Sequence, residues 1–198
     1  MKKLIILALL LVAVWKLTHP TGAVVLGPGI TAAEPPLQVD RTPTLISQAD
    51  GYNITALADF QITAKVLGRE DYSLGREADL SPVDLALGWG RMSDEAVLEN
   101  IDISQSGRFY YWRVESFPIP RREIETHSAN MHLIPADPGV LDTIKDIRPG
   151  DVVALSGSLV HVKSEQDGWH WRSSLTRNDT GGGACELIWV EDISIVTP

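Results

Sequence analysis

Between residues 57 and 66 apolar and polar positions alternate: Ala58, Phe60, Ile62, Ala64 and Val66 are separated by Asp59, Gln61, Thr63 and Lys65. Side chains on a strand point to opposite faces in turn, so this period of two predicts a half-buried strand. The pattern then shifts. Ser81-Pro82 ahead of Val83-Asp84-Leu85-Ala86-Leu87 has the form of an N-cap, a proline in the first turn and a helical run that Gly88 stops. Ser93-Asp94-Glu95 opens a second short helix through Glu99, and Asp137-Pro138-Gly139 caps a third through Lys145. Between them residues 108–114, rich in Phe, Tyr and Trp, predict another strand.

The last fifty residues are the most regular. Arg148-Pro149-Gly150-Asp151 is a turn, residues 152–155 and 159–162 are strands parted by Ser156-Gly157, and Gln166-Asp167-Gly168 turns into residues 169–174. Residues 186–190 make a final strand. A strand that leaves a turn, kinks at a glycine and continues is similar to the opening hairpin of small barrels of the OB or SH3-like kind. The fold expected is therefore α+β: a mainly antiparallel, small barrel-like sheet with two or three short inserted helices.

The start of the chain departs from this. Met1-Lys2-Lys3 precedes twelve uninterrupted apolar residues, 4–15, and then Lys16. That is the layout of a signal peptide. Twelve residues of helix cover roughly 18 Å, less than the ~30 Å hydrocarbon core, although Trp15, Lys16 and the mild stretch that follows can extend a tilted anchor. A cleaved signal peptide and a retained signal anchor both fit residues 1–19. Residues 20–50 carry five prolines up to Pro43 and no hydrophobic period, and predict an extended linker. The remainder, 51–198, is one globular β-rich domain, and the leader places it in the periplasm or on the periplasmic face of a bacterial inner membrane.

Charge narrows the partners. Removing the +2 carried by Lys2, Lys3, Lys16 and Glu34 from the chain's −9 leaves −11 for residues 39–198. A domain this acidic repels phosphate backbones, so no nucleic-acid partner is expected. An envelope protein or a cell-wall component is the expected class, with membrane contact through the N-terminal segment if it is retained. Oligomeric state is not legible. Cys185 is the single cysteine, so no intramolecular disulfide forms even in an oxidising compartment.

A wider resemblance rests on four segments. Ser81-Pro-Val-Asp-Leu-Ala-Leu-Gly-Trp-Gly-Arg-Met-Ser-Asp94, Ile103-Ser-Gln-Ser-Gly-Arg-Phe-Tyr110, His127-Ser-Ala-Asn-Met-His-Leu-Ile-Pro-Ala136 and Asp179-Thr-Gly-Gly-Gly-Ala-Cys-Glu186 together resemble a family of uncharacterised bacterial exported or membrane-anchored proteins. The resemblance implies export and a single domain. It implies no reaction.

Three sets of residues carry candidate chemistry. His127 and His132 are five residues apart, on opposite faces of a strand or about 140° apart on a helix, which counts against a shared metal. No metal and no cofactor are expected. On an extended segment Ser128, Asn130 and His132 share one face, a polar cluster suited to hydrogen bonding or general acid–base work. Cys185 follows Gly181-Gly182-Gly183-Ala184, so backbone N–H groups can form an oxyanion hole beside a thiol paired with His127, His132 or His161. The plainer reading is a small buried hydrophobe heading the alternation Cys185, Leu187, Trp189. Finally His170, Arg172, Ser174, Arg177, Asp179 and Thr180 cluster near that loop, a donor group for a carboxylate or phosphate, or an Arg–Asp pair that pins the loop. The expected function is a periplasm-facing binding or assembly module. The alternative is a cell-wall hydrolase or transferase using Cys185 with a histidine.

Overall fold

The computed structural model describes residues 22–176 and 185–196. Nine strands dominate: β1 (Leu37–Ala49), β2 (Tyr52–Asp71), β3 (Val83–Gly88), β4 (Asp102–Ser106), β5 (Phe109–Arg113), β6 (Ser128–Pro135), β7 (Val152–Ser164), β8 (His170–Arg172) and β9 (Glu186–Val196). The helices are short: α1 (Arg76–Leu80), α2 (Glu95–Leu98), α3 (Arg121–Thr126) and α4 (Pro138–Asp146), with a 3₁₀ turn at Gly90–Ser93. All but β4 and β5 belong to one sheet, ordered β1-β2-β3-β6-β9-β7-β8, in which β2 also pairs with β7. That pairing closes a ring, β2-β3-β6-β9-β7-β2, antiparallel except for the parallel β6–β9 pair. The α+β, barrel-like expectation holds. The strand order, with α4 between β6 and β7, is that of the OB kind.

The ring encloses the main core. Phe60, Ile62, Leu85, Leu87, Met131, Leu133, Leu159 and Ile188 point inward, and Val140, Ile144 and Ile147 from α4 and its exit pack against them. Asp137 caps α4 by accepting from the N–H groups of Gly139 and Val140 at 2.7 and 3.0 Å, as its sequence signature implies. A second core lies outside the ring, where Ile54, Val160, Val162, Ile134 and Leu187 meet Trp169 and Trp171. A third, of Met92, Ile101, Ile119 and Ile124, holds the insertion between β3 and β6 together.

Three expectations are corrected. The segment 83–87 is a strand, β3, not a helix. Every residue of β3 is buried, because its inner face meets the core and its outer face is covered by the β4–β5 insertion. A strand covered on both faces reads as a continuous apolar run, which periodicity cannot tell from a helix. Second, residues 152–164 form one strand rather than two. Its register shifts between Ser156 and Gly157, where a Cβ on Gly157 would collide with the carbonyl of Trp189.

Third, residues 20–50 are not a free linker. Strand β1 runs antiparallel to β2 from the pair Leu37–Gln61 to Ala49–Tyr52, through a turn in which Asp50 and Gly51 both have positive φ. Pro43 falls where the register shifts between Asp40 and Thr44, so its missing N–H breaks no ladder. Upstream, the backbone is strapped to the domain. Val24 N–H donates to Pro149 O at 2.8 Å, Leu26 and Gly27 N–H donate to the Glu95 carboxylate at 2.7 and 2.6 Å, and Ala32 N–H donates to Ser93 Oγ at 3.0 Å. Glu95 also pairs with Lys65 at 2.9 Å, which accounts for the burial of Lys65 on the polar phase of β2. The leader at residues 1–19 lies outside the described residues. Among the described residues no helix is long and apolar enough to cross a membrane.

Candidate functional site

Two polar constellations emerge, one sealed and one open. The sealed one lies on the outer face of β3 and β6. Ser128, Asn130 and His132 alternate along β6 as the sequence predicts and share that face, all buried. Opposite them on β3 stand Gly88, Ala86 and Asp84 in register, so two small residues leave room and one carboxylate fills the end. The sequence reading missed Asp84, which is fully buried.

The β4–β5 hairpin folds over this face and supplies the partners. Its turn, Gly107-Arg108, has positive φ at both residues, the conformation of a two-residue type I′ hairpin. A left-handed arginine is strained and persists where its surroundings hold it. Arg108 is held at every end. Its N–H donates to Tyr72 Oη at 3.0 Å, its Nη1 donates to Asp84 Oδ1 at 2.7 Å and to Ser81 O at 2.9 Å, and its carbonyl accepts from Asn130 Nδ2 at 3.1 Å. The guanidinium stacks 3.6 Å from the Tyr72 ring centre and 5.5 Å from that of Trp171.

The remaining groups close on one another. Asn130 Nδ2 also donates to Asp84 Oδ2 at 3.2 Å, and Gln105 Nε2 donates to Asn130 Oδ1 at 2.8 Å. Ser128 Oγ donates to Ile124 O at 2.6 Å and lies 2.9 Å from Tyr110 Oη, whose pKa is pushed up to about 12 by burial despite that bond. His132 Nδ1 is 2.9 Å from Asp84 Oδ2, an ion-pair distance that lacks hydrogen-bond geometry, and its ring packs 4.8 Å from Trp171.

His127 and His132 are not brought together. His127 follows the last turn of α3, with Nδ1 3.1 Å from Thr126 Oγ1 and its ring 6.2 Å from Trp89. Cys185 is half-buried ahead of β9, and its Sγ lies 3.8 Å from the carbonyl of Arg108. In the parallel register His132 is level with Leu187, two residues beyond Cys185. Arg177, Asp179, Thr180 and Gly181 to Gly183, which make up one arm of the donor cluster and the oxyanion-hole loop, lie outside the described residues.

The open constellation joins His170 and Arg172 to residues the sequence reading did not combine with them. On the antiparallel β7–β8 pair His161 stands opposite Arg172 and Lys163 opposite His170. The four share one face, with Trp171 and Val162 on the other, packed in the second core. Arg172, Lys163 and His170 are exposed and His161 is half-buried. The two imidazole rings meet edge to face at 5.7 Å. Burial lowers the pKa of His161, and the charges of Lys163, Arg172 and His170 lower it further. The signal was in the alternation of His161 and Lys163 across the Gln166-Asp167-Gly168 turn from His170 and Arg172.

Comparison of the chain with family models, with curated proteins and with solved structures found no match.

Proposed function

We propose that this chain is a periplasm-facing binding or assembly module of a bacterial envelope, acting on a protein or cell-wall partner without covalent chemistry of its own. One observation carries the reading. The side chains best suited to catalysis, Asp84, Asn130, Ser128 and their neighbours on β3 and β6, are engaged with one another and with Arg108 under the chain's own hairpin. In barrels of the OB kind the outer face of the second and third strands is a usual ligand platform. Here the chain covers it, and recognition falls to surfaces elsewhere. The leader supports the compartment, and the resemblance to exported or membrane-anchored proteins agrees with it.

The rival is a hydrolase or transferase with Cys185 as nucleophile. Against it stands the engagement of the chain's other polar side chains on β3 and β6 with one another, while the thiol itself lies 3.8 Å from the Arg108 carbonyl. A strain lacking the protein, complemented with Cys185→Ala, separates the two. The module reading expects full complementation and a loss of about 1 kcal/mol in stability, the packing of one or two methylene groups. A variant that reaches normal levels in the envelope and still fails to complement would establish the enzyme instead. Labelling adds an independent check, since a catalytic thiolate reacts quickly near neutral pH and a packed thiol resists until the protein unfolds.

A further inference from the structure

The geometry points to the β7–β8 face as a receptor for a phosphate-bearing anion, held between Lys163, Arg172 and the imidazoles of His161 and His170. The inference rests on the binding-module reading for the ligand being held and not turned over. Directly opposed residues of an antiparallel pair have Cβ atoms about 4.5–5.5 Å apart, and like charges there destabilise the sheet. On this face His161 opposes Arg172 and Lys163 opposes His170, which makes the two permanent cations, Lys163 and Arg172, diagonal neighbours across the strands. Among the described residues none of the four makes an ion pair, whereas Arg41, Arg69, Arg76, Arg91 and Arg108 each face a carboxylate. In a domain of charge −11 carboxylates are plentiful, yet among the described residues none pairs with this array, which leaves it to a counter-charge from outside.

The local shape fits. His161, Lys163, Ser164, Gly168 and His170 line an open recess of about 450 Å³, large enough for a phosphate monoester. His161 Nε2 is enclosed and makes no hydrogen bond, so one residue that lines the recess carries an unmet ring nitrogen. The charges select the ligand class. A divalent cation suits two imidazoles but is repelled by Lys163 and Arg172 beside them. A carboxylate carries one charge and leaves half the donors idle. A phosphate monoester carries between one and two charges near neutrality, with its second pKa at roughly 6, and offers three terminal oxygens.

Protonation follows from the same contacts. The groups facing His161 are Lys163 on its own strand, Arg172 and His170 on β8, and the uncharged Asn53 and Thr55 on β2. A bound phosphate dianion offsets Lys163 and Arg172, whose charges add to burial in lowering the pKa of His161, and so favours a proton on that ring; binding of the dianion strengthens as pH falls toward the phosphate's own second pKa.

The test titrates the full chain in a detergent of uncharged headgroup, reading the imidazole resonances of His161 and His170. The probes are glycerol phosphate in solution, phosphatidic acid doped into the micelle, and acetate. Saturable shifts are expected with a phosphate, about tenfold tighter than with acetate, tighter near pH 6 than near pH 8, and lost in the Lys163→Gln/Arg172→Gln double variant. Response to both phosphates means the free headgroup suffices, and response to phosphatidic acid alone assigns the ligand to a lipid source. Equal binding of acetate, no saturable shift with either phosphate, or an undiminished response in the double variant would overturn the inference. That failure is separate from failure of the module reading, which depends on complementation by Cys185→Ala.

Discussion

The two polar regions use nearly the same side chains to opposite effect. Under the β4–β5 hairpin an arginine, a histidine, an asparagine and a carboxylate are buried together, and the carboxylate accepts from two of the others. On β7–β8 an arginine, a lysine and two histidines stand together, with no carboxylate paired to them among the described residues, open to water on one side. Matched charge under cover specifies a fold, because each group would be costly to strand. Unmatched charge in the open contributes nothing of that kind, and the proposal above gives it a use outside the fold.

The contrast breaks most visibly at Asp84. Asp84→Ala should cost roughly 3–5 kcal/mol, because it leaves the Arg108 guanidinium and the Asn130 amide partly buried without their acceptor. Urea unfolding measures it. A cost below about 1 kcal/mol would mean that the hairpin is not held through this contact and that the face beneath it is accessible.

The Lys65–Glu95 pair, with its strapped backbone, is intermediate. Burial alone would raise the Glu95 carboxyl, but Lys65 and the N–H groups of Leu26 and Gly27 outweigh it and hold the pKa below the ordinary glutamate value. The folded state therefore binds its proton less readily than the unfolded chain. The contribution is complete above the ordinary glutamate range and is lost as pH falls through the lowered value. Glu95→Gln should cost roughly 2 kcal/mol at neutral pH, the scale of a charge-assisted bond lost beside a buried lysine. It should also flatten the acid limb of the stability profile. Protease cutting within residues 24–32 should rise in parallel, and an unchanged cutting rate would show that the strap is held by other contacts.

The smallest effect has the opposite sign. Lys163→Gln or Arg172→Gln should stabilise the isolated protein by a few tenths of a kcal/mol, the scale of one repulsion between cations on neighbouring strands, since each removes one of the two permanent charges that lie diagonally across β7–β8. Thermal melts at low salt resolve this. Destabilisation would mean that the array serves the fold, as the sealed region does.

What the sequence disclosed follows the same division. The alternation of β2, the shared face of Ser128, Asn130 and His132, the cap of α4 and the barrel-like sheet were legible because each rests on local period or local turn chemistry. What escaped depends on contacts distant in sequence. Asp84 was assigned to a helix because the hairpin that buries the outer face of β3 begins at Asp102. Lys65 matched a solvent phase, yet α2 and the strap cover it. Arg108 was placed at the start of a strand, whereas it occupies the turn and reaches back to Tyr72 and Asp84. Residues 37–49 lacked any apolar period because β1 is an edge strand largely exposed to water, although Asp50-Gly51 offered a hairpin signal. His170 and Arg172 share a strand face as the alternation implies. Their partners His161 and Lys163 needed the β7–β8 register.

The strap also sets a leash. From Lys16, at the end of the apolar leader, to Val24, the first residue bonded to the domain, is eight residues. A fully extended chain gains at most about 3.6 Å per residue, so that span reaches no more than about 29 Å. If the proposed leader is kept as an anchor, the domain would work within one small protein's width of the bilayer. Lengthening this tether by inserted residues, with the strap left intact, would show whether the partner must be met at that height.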